Sequence, residues 1–191
     1  ALKEFLIGSA IAFMLAAIIV LMKKIKLLQD ELNYFSDKAT HDSLTQLLNR
    51  CTISSFIDKY LYENGQAQCH TFLLLDVDDF KNINDERGHF AGDTALTNLA
   101  KAMVDVFGND CCVGRVGGDE FVALLKDTDK CKAEIMIANL SKMLESSLTI
   151  SIGMAFYNKD GKNFEELYQA ADAAMYISKR RGKNTYTFYG E

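Results

Sequence analysis

Apolar residues run without a charge from Phe5 to Met22 (FLIGSAIAFMLAAIIVLM), with Ser9 the only hydroxyl. At about 1.5 Å per residue such a helix is about 27 Å long, enough to cross the hydrocarbon of a bilayer. A signal peptide wants a basic start, a shorter apolar core and a small-residue cleavage site; here Lys23, Lys24 and Lys26 come after the run instead. The pattern predicts a transmembrane helix over 1–22, with the lysines holding the remainder of the chain in the cytoplasm. A buried core helix is the competing reading. Because residue 1 is Ala, an upstream part outside the cell is expected, of the kind a sensor would form. Past the lysines the rhythm changes. Ile18, Leu21, Ile25, Leu28, Leu32, Phe35 and Ala39 recur in alternating steps of three and four, an a/d seam that predicts a parallel, dimerising helix over 23–41. A helix packed on its own domain would show the same short pattern. The polar break at Asp42 ends it.

From Asp42 onward short apolar segments alternate with amphipathic ones. Phe56, Ile57, Tyr60 and Leu61 mark a helix closed by Asn64-Gly65. Thr71–Val77 (TFLLLDV) is a strand buried on both faces, ending in Asp76, Asp78 and Asp79. Leu96, Leu99, Ala100, Met103, Val104 and Phe107 place a helix over 93–107, with Asp93 near its start and Gly108-Asn109 after its end. Gly114–Leu125 reads as a β-hairpin, whose Gly117-Gly118 turn predicts positive φ. The next helix spans about 130–145. Leu148, Ile150, Ile152, Met154 and Phe156 alternate with Thr149, Ser151, Gly153 and Ala155 in a half-buried strand. After a turn at 158–161, Phe164, Leu167, Tyr168, Ala171 and Met175 form the core stripe of a further helix. It ends in Lys179, Arg180, Arg181 and Lys183, and Tyr186 and Phe188 lie in a last strand. Strands and helices mix without strict alternation, which predicts an α+β chain with an antiparallel or mixed sheet covered by helices.

With a formal net charge of −5 over 191 residues, nothing points to a general nucleic-acid binder. An acidic protein that handles phosphates needs a divalent metal between them. The cysteines Cys51, Cys69, Cys111, Cys112 and Cys131 are odd in number and carry no paired CxxC, so neither a zinc site nor a disulfide framework is indicated. Three acidic strand or hairpin ends, a glycine turn and a late basic cluster together suit phosphoryl transfer, in which positioning and charge neutralisation do most of the work. Asp76 and Asp119 are candidate metal ligands. Lys81, Lys179 and Lys183 could reach phosphate oxygens, and Asn84 and Asp93 carry the donors and acceptors that read a base edge. Taken alone, Asp119 and Glu120 would be equally at home on a solvated hairpin tip.

Five separated blocks resemble the GGDEF family of diguanylate cyclases: DSLTQLLNR at 42–50, DVDDFKNINDERGHFAGD at 76–93, GRVGGDEF at 114–121, TISIG at 149–153 and ADAAMYISKRRGKN at 171–184. The resemblance makes 42–191 the catalytic domain. It implies a fold like the palm of nucleotide cyclases and polymerases, a central, mostly antiparallel sheet flanked by helices, here preceded by the long amino-terminal helix. It implies the condensation of two GTP to cyclic di-GMP and two pyrophosphates across a homodimer, with Mg²⁺ or Mn²⁺. By motif position Asp76, the backbone of Val77 and Asp119 resemble the family's metal ligands, and Glu120 its acidic residue beside the ribose hydroxyl and metal. Gly117 and Gly118 let GTP approach the turn. Asn84 and Asp93 fall at guanine contacts, and Lys81, Lys179 and Lys183 at phosphate contacts. Asp78 is either a second-metal ligand or a structural carboxylate, while Asp79, Arg180 and Arg181 are expected to be solvated.

The chain departs from the family at one place. Where many members carry an RxxD product-inhibition site, these positions are Gly108 and Cys111, so no primary inhibitory site is expected. The competing function is a catalytically silent GGDEF domain that binds GTP or product and regulates a partner. The expected location is the cell inner membrane, single-pass or multi-pass with the upstream part, with the catalytic domain in the cytoplasm.

Overall fold

Thr71–Val77 forms β2, buried at every position, in a computed structural model that describes residues 14–15, 18–29, 39–64, 69–108, 111–144 and 148–191. The chain divides into two units, Ala1–Thr40 and His41–Glu191. In the first, residues 18–29 are helical (α1). Most of the apolar run Phe5–Met22 lies outside the described residues, as do Leu32 and Phe35 of the seam. Among the described residues no helix is long and apolar enough to cross a membrane.

The second unit is built on one six-stranded sheet of order β1-β3-β4-β2-β5-β6. Its elements are β1 (Leu48–Asn49), α2 (Arg50–Asn64), β2, α3 (Phe80–Arg87), α4 (His89–Phe107), β3 (Cys112–Arg115), β4 (Glu120–Leu125), α5 (Lys130–Leu144), β5 (Ile150–Phe156), α6 (Phe164–Arg180) and β6 (Tyr186–Phe188). The three central pairings β3–β4, β4–β2 and β2–β5 are antiparallel, and both edge strands join in parallel. This is the mixed α+β sheet expected from the sequence.

Successive side chains of a strand point to opposite faces, and β2 sorts its residues accordingly. Leu73, Leu75 and Val77 pack with Leu99 and Met103 of α4 and Ile137 and Leu140 of α5. Phe72 and Leu74 pack with Ile53 and Ile57 of α2 and Leu167 and Ala171 of α6. Continuing the even register, Asp76 belongs to the α2/α6 face. The hydrophobic alternation that builds the core therefore also decides which helices an end-of-strand carboxylate meets.

Three expectations need correction. The helix expected over 93–107 starts at His89, because Gly88, at φ 81°, separates it from α3: its N–H closes α3 on the Asn84 carbonyl, and its own carbonyl accepts from Ala91 N–H. Asp93 thus sits in the second turn of α4 rather than at its cap. β5 is buried on both faces rather than one, since its small residues lie under α6; a Cβ on Gly153 would come within 1.8 Å of the Ala171 carbonyl oxygen. Finally, β1 and α3 went unanticipated, the first having only two residues and the second burying none.

Candidate active site

The β2–β4 register sets Asp76 directly opposite Glu120, and the β2–β5 register sets it opposite Ser151. Asp76 is buried, 8% exposed, and Lys179 of α6 reaches its Oδ2 at 2.8 Å, as the shared face requires. Burial pushes the Asp76 carboxyl above its ordinary range; Lys179 counteracts this, and the charges of Asp119 and Glu120 add to it. Asp119 meets β2 through its backbone, accepting from Val77 N–H at 3.2 Å. Asp76, Val77, Asp119 and Glu120, drawn from segments more than forty positions apart in the chain, thus gather at one end of two paired strands.

The hairpin between β3 and β4 does not turn as its glycines suggested. Neither Gly117 nor Gly118 takes a left-handed φ. Gly117 is needed for space instead: a Cβ there would lie 2.7 Å from Glu120 Oε2. At Gly118 a Cβ would meet nothing within 4 Å, so the turn is open on that side. Arg115 braces it, donating one guanidinium nitrogen to the Gly118 carbonyl at 2.6 Å and the other to Asp42 Oδ1 at 2.9 Å. Burial alone would raise the Asp42 carboxyl, but hydrogen bonds from Thr45 and Arg115 hold it below its ordinary value.

Glu120 Oε2 accepts a hydrogen bond from the Tyr168 hydroxyl at 3.3 Å. Burial and the neighbouring Glu120 charge push the Tyr168 hydroxyl up to about 12, so it keeps its proton at neutral pH. The Arg50 guanidinium lies 5.3 Å from the centre of the same ring. Sequence reasoning missed both partners. Tyr168 was counted into the apolar stripe of its helix, and Arg50 closes a recognised block without an obvious task.

Behind the strand ends, the segment after α6 is latched to the loop after β2. Asp78 accepts from Ser151 Oγ at 2.6 Å and from Asn184 N–H at 2.9 Å. Both its oxygens are engaged by protein donors, which favours the structural reading of this carboxylate. Asp79, expected to be solvated, is exposed but paired with Lys183 at 2.6 Å. Lys183 therefore stands at the loop carrying the acids, while Lys81 is exposed and makes no ion pair among the described residues. Arg180 lies against the Tyr176 ring, 5.9 Å from its centre.

Asn84 projects from α3 onto the start of α4. An added Cβ on Gly92 would fall 2.1 Å from Asn84 Oδ1, so the amide lies over the glycine that immediately precedes Asp93. The two candidate base-reading residues are thereby brought to one α3–α4 junction, with Asp93 exposed. A separate groove of about 830 Å³, lined by Asp79, Asn82, Arg87 and Phe90 among others, contains none of Asp76, Asn84, Asp93, Asp119 and Glu120.

The donor chemistry suits a hard divalent cation: carboxylate and backbone oxygens, and a carboxyl raised by burial and further by two acidic neighbours. No three His, Cys, Asp or Glu side chains among the described residues close around one point, and Lys179 holds Asp76. A cation there would draw on Asp76, the Val77 carbonyl, Asp119 and Glu120.

The profile of the family described as diguanylate cyclase, GGDEF domain, matches residues 39–185. The chain belongs to that family. Diguanylate cyclase TpbB of Pseudomonas aeruginosa is 35% identical over 170 residues, covering 83% of this chain and 39% of that protein. Diguanylate cyclase A of Treponema denticola is 31% identical over 165 residues, covering 79% and 44%. The chain thus spans less than half the length of these curated relatives. Among solved structures, the coiled coil and GGDEF domain of DgcB from Caulobacter crescentus, in complex with c-di-GMP, superposes with a TM-score of 0.78 at 26% identity, covering 91% of this chain and 97% of that one. The palm-like α+β fold of this GGDEF domain is the fold of those structures.

Proposed function

We propose that this GGDEF domain is a diguanylate cyclase that condenses two GTP to cyclic di-GMP with release of two pyrophosphates, one GTP being held by each protomer of a homodimer. The observation that carries the reading is the direct pairing of Asp76 with Glu120 across β2 and β4, with Lys179 on the same face. The curated relatives are named as diguanylate cyclases, and the DgcB structure is a complex with c-di-GMP.

In this mechanism each half-site does four things. Asn84 and Asp93, set together at the α3–α4 junction, read the guanine edge. Gly118 leaves the turn open to the nucleotide, while Gly117 makes room for the Glu120 side chain. Lys81, Lys179 and Lys183 offset phosphate charge. Asp76, Asp119, Glu120 and the Val77 carbonyl would hold Mg²⁺ or Mn²⁺, which would lower the barrier to attack of a ribose 3′-hydroxyl on an α-phosphate. One half-site contains the machinery for one GTP; the ring of the product has two phosphodiester bonds, so a second copy must face the first. Lys179 must release Asp76 when a cation is taken up, and its ammonium then becomes available for phosphate.

The seam at Ile18, Leu21, Ile25 and Leu28 supports pairing through α1, and the apolar run with its trailing lysines supports a membrane anchor with the catalytic unit in the cytoplasm. At the positions of the RxxD site stand Gly108 and Cys111, so low-micromolar c-di-GMP should leave the rate unchanged; inhibition at that level would refute this part. The cyclase reading is tested by incubating the dimeric protein with GTP and Mg²⁺ and measuring c-di-GMP. Glu120→Gln should lower the rate by about a hundredfold or more, the scale of a lost group that acts on charge in the transition state. A wild-type dimer that binds GTP and forms no product would favour the silent, regulatory reading instead.

A further inference from the structure

Glu120 occupies a demanding position. It opens β4 opposite Asp76, close enough to repel it, and its side chain folds back over the turn, with Oε2 2.7 Å and Cβ 3.2 Å from where a Gly117 Cβ would be. Nothing in the turn itself keeps the carboxylate there, and the like charge of Asp76 opposes it. Among the described residues one hydrogen bond reaches the Glu120 side chain, the one from the Tyr168 hydroxyl to Oε2 at 3.3 Å.

Tyr168 is well suited to hold something still. Its ring stacks on Phe164, one helical turn earlier, at 5.9 Å and 28°. Phe164 in turn packs edge-on against the fully buried Phe72 of β2 at 5.6 Å, and its N–H is held by Asp58 of α2 at 2.7 Å. On the open side the Arg50 guanidinium covers the ring. The hydroxyl is therefore fixed by the core on one side and by a cation on the other.

We propose that Tyr168 is a positioning residue for Glu120: its hydroxyl anchors Oε2, so that Oε1 is the oxygen left for the cation and the ribose hydroxyl. This rests on the cyclase reading for the identity of the reaction, though not for the geometry. At 3.3 Å the bond is longer than an ideal charge-assisted one, so its removal should cost less than an ideal bond would, roughly three- to tenfold.

Tyr168→Phe removes the hydroxyl and keeps the ring. It should lower kcat by roughly three- to tenfold with KM for GTP unchanged, because the base-reading and phosphate residues are untouched. Independently of turnover, Mn²⁺ binding measured by electron paramagnetic resonance in the presence of 3′-deoxy-GTP should weaken by a similar factor. In a Glu120→Gln background the same change should have little further effect on Mn²⁺ binding. Wild-type Mn²⁺ affinity and kcat in Tyr168→Phe would overturn the proposal, as would an equal loss of affinity in both backgrounds. A pattern in which only Tyr168→Leu is impaired would likewise overturn it, assigning the ring a packing role alone. If the wild-type protein makes no c-di-GMP, the cyclase reading fails and the Mn²⁺ measurements alone decide the role of Tyr168.

Discussion

Gly92 is where a single methyl group separates folding from the proposed base recognition. Its missing Cβ would stand 2.1 Å from Asn84 Oδ1, 3.0 Å from Asn84 Cγ and 3.2 Å from the Phe80 ring. The atoms in the way belong mostly to the end of a side chain that can rotate, so the helix survives the substitution; alanine even gains intrinsic helix propensity, by about 1 kcal/mol over glycine. Asn84, however, must leave its place over Gly92. Gly92→Ala is therefore expected to leave the melting temperature close to wild type while raising KM for GTP on the order of tenfold, the size of one lost base-edge hydrogen bond in a partly closed site. Steady-state kinetics with GTP, read beside a thermal melt, would check it. An unchanged KM would mean that Asn84 does not read the base from the position seen here.

At the scale of elements, what was legible in the sequence was what periodicity encodes. β2 declares itself by TFLLLDV, and its register continues past Leu74 to put Asp76 on the α2/α6 face, so the location of the acid is set by the alternation that buries Phe72. Other features carry no period. α3 buries no residue and is held by the Gly88 junction at its end. β1 is too short to alternate. The role of Gly117 is steric and directed at Glu120, which no local pattern announces. Tyr168 reads as a core residue because its helical spacing is that of the core, and only the fold shows its hydroxyl reaching β4. β5 misled for a related reason: alternating small residues look like a solvent face until α6 is laid over them. Gly153 makes that contact measurable. Its added Cβ would lie 1.8 Å from the Ala171 carbonyl oxygen and 2.4 Å from Met175 N, both backbone atoms that move only with the helix. Gly153→Ala should destabilise the domain by about 3 kcal/mol, the upper part of the overpacking range, seen as a lowered urea midpoint with an unchanged slope. Wild-type stability would show that α6 can lift from β5 at little cost, and with it Lys179 and Tyr168.

At the scale of the whole molecule, the proposed cyclisation depends on how often two half-sites meet. Under the cyclase reading the unit His41–Glu191 supplies one set of base-reading, phosphate and acidic residues, so a lone protomer would bind GTP without closing a ring that contains two phosphodiesters. In α1 the side chains of Ile18, Leu21, Ile25 and Leu28 are 48% to 58% exposed in steps of three and four, the spacing that brings a second identical helix alongside. Burying each such side chain contributes about 1.5–3 kcal/mol, enough for a short seam to set the dimer equilibrium at low concentration. Replacing Ile25 and Leu28 together by glutamate puts like charges into that seam on both helices. The variant should sediment as a monomer at concentrations where the parent is a dimer. Its specific activity should fall at least about tenfold, the effect of a shift of roughly 1.4 kcal/mol or more in that equilibrium, and should rise again with protein concentration. Fusing an unrelated parallel coiled coil ahead of His41 should restore the rate without restoring the native seam. Full specific activity from a protein that sediments as a monomer would refute the requirement for two facing half-sites. A variant that stays dimeric and active would place the pairing surface elsewhere than on Ile25 and Leu28.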